Sequence, residues 1–166
     1  MDAPRTEAAV EVFQLPPGFN RWQELLDLIL RAFAYMDGVI DPPSSARSLT
    51  VASLEKKCSD EAVFLAIADG QIVGCVFLAD RGARAYVGKL AVEPGLQGRG
   101  IGRWLISTAE GEAQRRGRRV IELQTRVELT GNHAAFARLG FRETVRTAHA
   151  DYGRPTSITM RKELGA

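Results

Sequence analysis

The chain has 166 residues, 45% of them hydrophobic and 25% charged, the size and make-up of one ordinary globular domain. A formal net charge of +2 gives no sign of a nucleic-acid or strongly anionic partner, and no stretch reaches the roughly 18 apolar residues of a membrane span. Met1 to Val12 lacks the apolar run of a signal peptide, so a cytoplasmic location is expected.

Residues 1–7 read as a polar, frayed start. Val10, Val12 and Gln14 alternate with Glu11 and Phe13 in a short first strand ended by Pro16-Pro17-Gly18. Asn20 is placed to cap a helix whose apolar face is Trp22, Leu25, Leu26, Ile29, Leu30 and Phe33. That helix ends near Met36-Asp37-Gly38, and the prolines and serines of Ile40 to Ser45 mark an irregular surface connection. A second helix, about Thr50 to Cys58, starts near the potential cap Ser48. Ala62 to Ala68 and Ile72 to Leu78 are apolar almost throughout, so both faces of both strands are expected to be covered; Asp69-Gly70 between them is a strong hairpin signal.

A turn at Arg81 to Arg84 leads into a fourth strand, Tyr86 to Val92, and a glycine-rich segment then opens into a long helix. Its apolar positions are Ile101, Trp104, Leu105 and Thr108, and it ends at Arg115-Arg116-Gly117. Val120 to Gln124 makes a fifth strand, parallel to the fourth through a right-handed crossover. A short helix, Asn132 to Leu139, is closed by Gly140 at C′. Strands Phe141 to Arg146 and Thr156 to Arg161 flank a polar loop, Ala148 to Pro155. Cys58 and Cys75 make no motif and read as reduced packing thiols. His133 and His149 have no second ligand at usable spacing, so no metal site is expected.

The chemistry concentrates between Lys89 and Leu105. Strand, glycine loop and helix together point free backbone N–H groups and a positive helix end at an anion. Gly98, Gly100 and Gly102 keep side chains out of that approach, where each glycine costs roughly 0.5–1 kcal/mol against alanine. A diphosphate cradle accounts for such a run better than a bare turn does. A P-loop would carry Lys-Ser or Lys-Thr where Arg103-Trp104 stands. A dinucleotide fingerprint fits Gly98 and Gly100 but meets Arg103 at its third glycine, and only 64 residues follow Gly102. What remains is Gln97-x-x-Gly100-x-Gly102 after Leu-Ala-Val-Glu-Pro.

That string resembles the pyrophosphate motif of the GNAT superfamily of N-acetyltransferases, (Arg/Gln)-x-x-Gly-x-(Gly/Ala). The order β-α-α-β-β-β-α-β-α-β-β resembles the same fold, so the likeness covers one domain, about residues 8–164. Phe136-Ala137-Arg138-Leu139-Gly140-Phe141 looks like the family's Tyr-x-x-x-Gly-Phe segment. The resemblance implies an α/β (α+β) fold: a mixed central sheet of about seven strands, splayed between strands 4 and 5, with helices on both faces. It implies acetyl-coenzyme A in the opening, held by Leu90, Ala91 and Val92 along the strand and by Gln97, Gly98, Arg99, Gly100, Ile101, Gly102 and Arg103 at the pyrophosphate. Asn132 and Phe136 are expected beside the pantetheine, with Asn132 alternatively a helix cap.

The implied reaction is direct attack of an amine, from a small molecule or a peptide N-terminus, on the thioester. Phe136 stands where the family commonly has a tyrosine that protonates the leaving thiolate, so that role falls elsewhere. Tyr152, Glu122, His149 and Tyr86 are the candidate acid–base groups, and Asp37, Asp41, Ser44 and Ser45 the candidate acceptor contacts. The same features also fit a coenzyme A-binding sensor or interaction module with little catalysis. A homodimer is compatible with the apolar residues Ile158 and Met160 of the last strand.

Overall fold

A computed structural model describes residues 9–165; the start at residues 1–7 lies outside them. Seven strands form one sheet: β1 (Val10–Gln14), β2 (Ala62–Ala68), β3 (Gln71–Arg81), β4 (Arg84–Val92), β5 (Val120–Arg126), β6 (Arg142–Thr147) and β7 (Ser157–Glu163). Their order is β1-β2-β3-β4-β5-β7-β6. Every neighbouring pair is antiparallel except β4–β5, which is parallel through the long helical crossover. The helices are α1 (Trp22–Phe33), α2 (Val51–Asp60), α3 (Ile101–Arg115) and α4 (Thr130–Arg138), with short 3-10 turns at Ala34–Met36, Ser45–Ser48 and Pro94–Leu96.

The two sides of the sheet make two cores, as the apolar runs of β2 and β3 predict. Phe64, Ala66, Val76, Leu78, Val87, Ile121 and Ile158 face α3, whose Ile101, Leu105, Ile106, Ala109 and Ala113 are buried. Val63, Leu65, Cys75 and Phe77 face α1 and α2. Leu25, Leu28 and Ile29 of α1 are wholly buried there, at about 1.5–3 kcal/mol each by transfer bookkeeping. A Cβ on Gly74 would sit 3.0 Å from Leu105 Cδ1 and 3.2 Å from the Ala91 carbonyl, so its absence lets α3 close down on the sheet beside β4.

Several local expectations change. The residue before α1 is Arg21, with no side-chain cap, and Asn20 does not serve. Arg21 instead forks onto Glu24 within the first turn at 2.7 Å. The cap of α2 is Thr50 rather than Ser48, in a reciprocal box with Ser53. Trp104 lies on the outer face of α3 and is 47% exposed, while Ile106 takes the core position. β7 is an interior strand between β5 and β6, so Ile158 and Met160 are spent in the core and offer no dimer surface. No helix among the described residues is long and apolar enough to cross a membrane.

Candidate active site

β4 and β5 bond to each other only from Arg84–Val87 against Val120–Leu123. Beyond Val87 and Leu123 they part, and β5 turns wholly to β7 while β4 keeps only β3. At the closed end Glu122 clamps the root of the splay: Arg84 Nη1 of β4 donates to its carboxylate at 2.7 Å, and Arg161 Nε of β7 donates to the same oxygen. Burial alone would raise the Glu122 carboxyl; the two guanidinium groups outweigh it and hold it below the usual value.

At the open end a cleft of about 890 Å³ runs through the sheet. The β4 wall carries a bulge: Lys89 has φ +47°, and the register against β3 shifts between Cys75 and Phe77. Next to it begins α3, with Gly100 at N-cap in the left-handed region (φ +83°) and no side-chain cap. The N–H groups of Ile101, Gly102 and Arg103 therefore lack intrahelical acceptors. Gly98 (φ +80°) and Gly100 both face open space within 4 Å of where a Cβ would stand. Bare donors, open space above them and an unpaired strand edge fit a pyrophosphate followed by an amide-bearing arm. Thr125 Oγ1, buried in the β5 wall with no hydrogen-bond partner among the described residues, adds a polar group to the cleft.

Of the residues expected at the cofactor, all but Arg99 line the cleft: Leu90 to Val92, Gln97 to Gly98, Gly100 to Arg103, Asn132 and Phe136. Asn132 does not cap α4, whose N-cap is Leu129; its Nδ2 donates to the Tyr35 hydroxyl at 3.0 Å across the cleft. Phe136 packs edge-on against Phe141, centroids 6.0 Å apart.

The acid–base candidates divide. Tyr86 and His149 line the cleft; Glu122 and Tyr152 do not. Tyr152 donates to Asp41 Oδ1 at 2.6 Å, a bond that raises its phenol. Burial raises the Tyr86 phenol too, with the Arg81 guanidinium 3.6 Å from its ring centroid acting the other way. His149 is lowered by burial and then by the Arg126 charge, so it is neutral near pH 7. The Thr156 hydroxyl accepts the His149 backbone N–H at 2.9 Å and also contacts Nδ1, which fixes the ring against the β7 side of the cleft.

The acceptor candidates divide as well. Ser44 and Ser45 line the cleft, but Asp37 and Asp41 do not. Asp37 sits with Arg47, 3.9 Å away, and Asp41 is an anchor for the α1–α2 connection. Its backbone N–H donates to Glu128 at 2.9 Å, its carboxylate takes Tyr152 and Arg154, and Arg126 donates to the neighbouring carbonyls of Pro42 and Pro43. Lys89, Lys57, Tyr35 and Arg126 also line the cleft and were not expected there. For Lys89 a signal existed, a lone charge inside an otherwise apolar strand. Tyr35 carried none, because only the fold carries the end of α1 across to α4.

The acetyltransferase (GNAT) family model matches residues 22–141, and the chain belongs to that family. It is 35% identical over 94 residues to an uncharacterised N-acetyltransferase of Methanocaldococcus jannaschii; the match takes in 52% of this chain and 42% of that protein, less than half its length. The fold is shared with the ribosomal-protein-S18-alanine N-acetyltransferase of Escherichia coli, at TM-score 0.72 and 19% identity over 95% of this chain and 96% of that one. It is shared too with the PaiA N-acetyltransferase of Thermoplasma acidophilum, solved in complex with coenzyme A, at TM-score 0.72 and 17% identity over 93% and 99%. The chain is thus a member of the acetyltransferase (GNAT) family, with the fold of these solved structures.

Proposed function

We propose that this chain moves an acetyl group from acetyl-coenzyme A to an amine, by direct attack with both substrates bound. The observation that carries the reading is the open half of β4 lying beside the uncapped, glycine-lined start of α3. Gln97 to Arg103 would hold the pyrophosphate and Leu90 to Val92 the pantetheine amides. Acetyl-coenzyme A supplies an activated acyl group when bound; the residues supply alignment and proton handling. A backbone N–H at the β4 bulge, near Val92, donates to the acetyl oxygen as it becomes negative.

His149 takes the proton from the amine, directly or through water, because it is the cleft-lining candidate with a neutral imidazole at neutral pH. Phe136 has no proton to give. The Tyr35 hydroxyl, which accepts from Asn132 one helical turn before Phe136, keeps its own hydrogen to donate and takes that role. Asp41 and Tyr152 hold the α1–α2 connection in place. Cys58 and Cys75 are unpaired thiols, raised by burial, which suits a cytoplasmic setting.

The missing tyrosine at position 136 favours one other reading, a coenzyme A-binding module with little turnover. Two measurements separate them. Acetyl-coenzyme A must raise Tm with concentration under either reading, and no rise overturns both. Thiol release that depends on an added amine supports transfer; a Tm rise without release from any amine supports the module.

A further inference from the structure

The charged side chains that line the cleft are all cations: Lys57, Lys89, Arg103, Arg126 and Arg138, with no Asp or Glu among the described lining residues. The chain holds 20 acidic and 22 basic residues, so composition does not explain a one-sided lining. Arg103 and Arg138 stand on α3 and α4, at the phosphate side. Lys57, Lys89 and Arg126 stand on the side covered by α1, α2 and their connection, where the amine must enter.

Those three are not equivalent. Lys57 is paired with Glu61 at 2.5 Å, and Arg126 gives its donors to the Pro42 and Pro43 carbonyls. Lys89 has no ion pair among the described residues; its ammonium donates to Ser45 Oγ at 3.1 Å and lies 6.0 Å from the Phe33 ring centroid. Burial lowers its pKa and the Lys57 charge adds to that, outweighing the opposing pull of the Glu61 carboxylate. Around it Phe33, Met36 and Ile40 are apolar.

We infer that the acceptor is a small amine that also carries a carboxylate, and that Lys89 holds that carboxylate. The inference rests on the acetyl-transfer reading above and narrows its acceptor. An amine whose other groups are cationic, such as a polyamine, meets like charge here, and the nearest carboxylate acting on Lys89, that of Glu61, is already bonded to Lys57 and lies outside the lining. A bound carboxylate completes the Lys89 ion pair inside a partly desolvated site. The surrounding cations also disfavour the protonated form of the attacking amine, which raises its nucleophilic fraction at neutral pH.

The test uses the full chain with saturating acetyl-coenzyme A and measures thiol release. Leucine, phenylalanine and glutamate are each compared with their decarboxylated amines, with spermidine as the cationic control. At least one amino acid should exceed its decarboxylated counterpart by tenfold or more in kcat/KM. Lys89→Met should collapse that ratio toward one through KM for the acid, with KM for acetyl-coenzyme A unchanged, and Lys89→Arg should retain the preference. Spermidine or the decarboxylated amines matching the acids, or Lys89→Met lowering both classes alike, overturns the inference. If no amine is turned over, calorimetry of N-acetyl-leucine, N-acetyl-phenylalanine and N-acetyl-glutamate against the coenzyme A-loaded protein decides. Binding of any one that Lys89→Met abolishes supports the carboxylate site even where transfer fails, and absent or Lys89-independent binding of all three overturns it. The Tm rise with acetyl-coenzyme A, read in parallel, reports separately on the cofactor.

Discussion

The two halves of the β4–β5 pair answer the same physical demand in opposite ways. Strand backbone groups removed from water must be bonded. From Arg84 to Val87 the neighbouring strand bonds them, and Glu122 ties β4 to β7 with two guanidinium groups. From Gly88 to Val92 the β5 side of β4 is left open, next to a helix start that lacks a cap. The closed half is finished by the chain itself, and the open half is the part that the proposed function leaves for a ligand to finish. The helix starts repeat the contrast, since Thr50 and Ser53 close α2 while Gly100 leaves α3 bare.

The hardest blow to the open half is Gly100→Trp. An indole in the open space over the first N–H groups should weaken acetyl-coenzyme A at least a hundredfold, about 2.7 kcal/mol. In a thermal-shift titration the wild type should rise some 5–10 °C at about a hundredfold excess over Kd, and the variant by no more than about 1–2 °C. His149→Gln comes next, on turnover: kcat/KM should fall on the order of a hundredfold, as expected for a lost general base. In the wild type the acid limb of kcat/KM should lie below the ordinary histidine value of about 6.5, because burial and Arg126 lower this imidazole. The variant should lose that limb in a pH–rate profile.

Glu122→Gln probes the closed half. It strands two guanidinium groups at the splay root and should cost about 1–3 kcal/mol in urea unfolding, with acetyl-coenzyme A affinity changed less than threefold. A carboxyl whose folded value is depressed stabilises the protein above its unfolded value. The wild-type advantage should thus be full at neutral pH and disappear as pH falls through the folded value. A large loss of cofactor affinity in this variant would erase the distinction between the halves. The smallest effect belongs to Gly102→Ala. Its Cβ would meet only Val92 Cγ2, at an ordinary 3.7 Å. The substitution should stabilise the helix by about 0.5–1 kcal/mol and leave affinity within twofold, so bareness is needed at Gly98 and Gly100 but not two residues on.

The cofactor half of the site was legible because its chemistry is local. Gln97 to Arg103 and the strand before them are contiguous, and glycine where a left-handed turn precedes a helix is a constraint that sequence records directly. The acceptor half was not. Asp37 and Asp41 are close to the cleft in the chain, yet ion pairing and Tyr152 turn both to anchoring the connection. Tyr35 and Asn132 are 97 positions apart and meet only because the turn after α1 and the start of α4 face each other across the splay. Glu122 occupies a strand position like any other until β4 and β7 bring Arg84 and Arg161 to it.

Sequence alone determined the element order, the parallel β4–β5 crossover, the hairpin at Asp69-Gly70 and the bare phosphate loop, since each follows from periodicity, turn chemistry or spacing within a few residues. Tertiary structure alone decided that β7 lies inside the sheet, that Trp104 faces out, and that the charged residues among the described cleft lining are all cations. Those outcomes depend on which side chains distant segments bring within a few ångströms of one another, and a linear pattern carries no term for that.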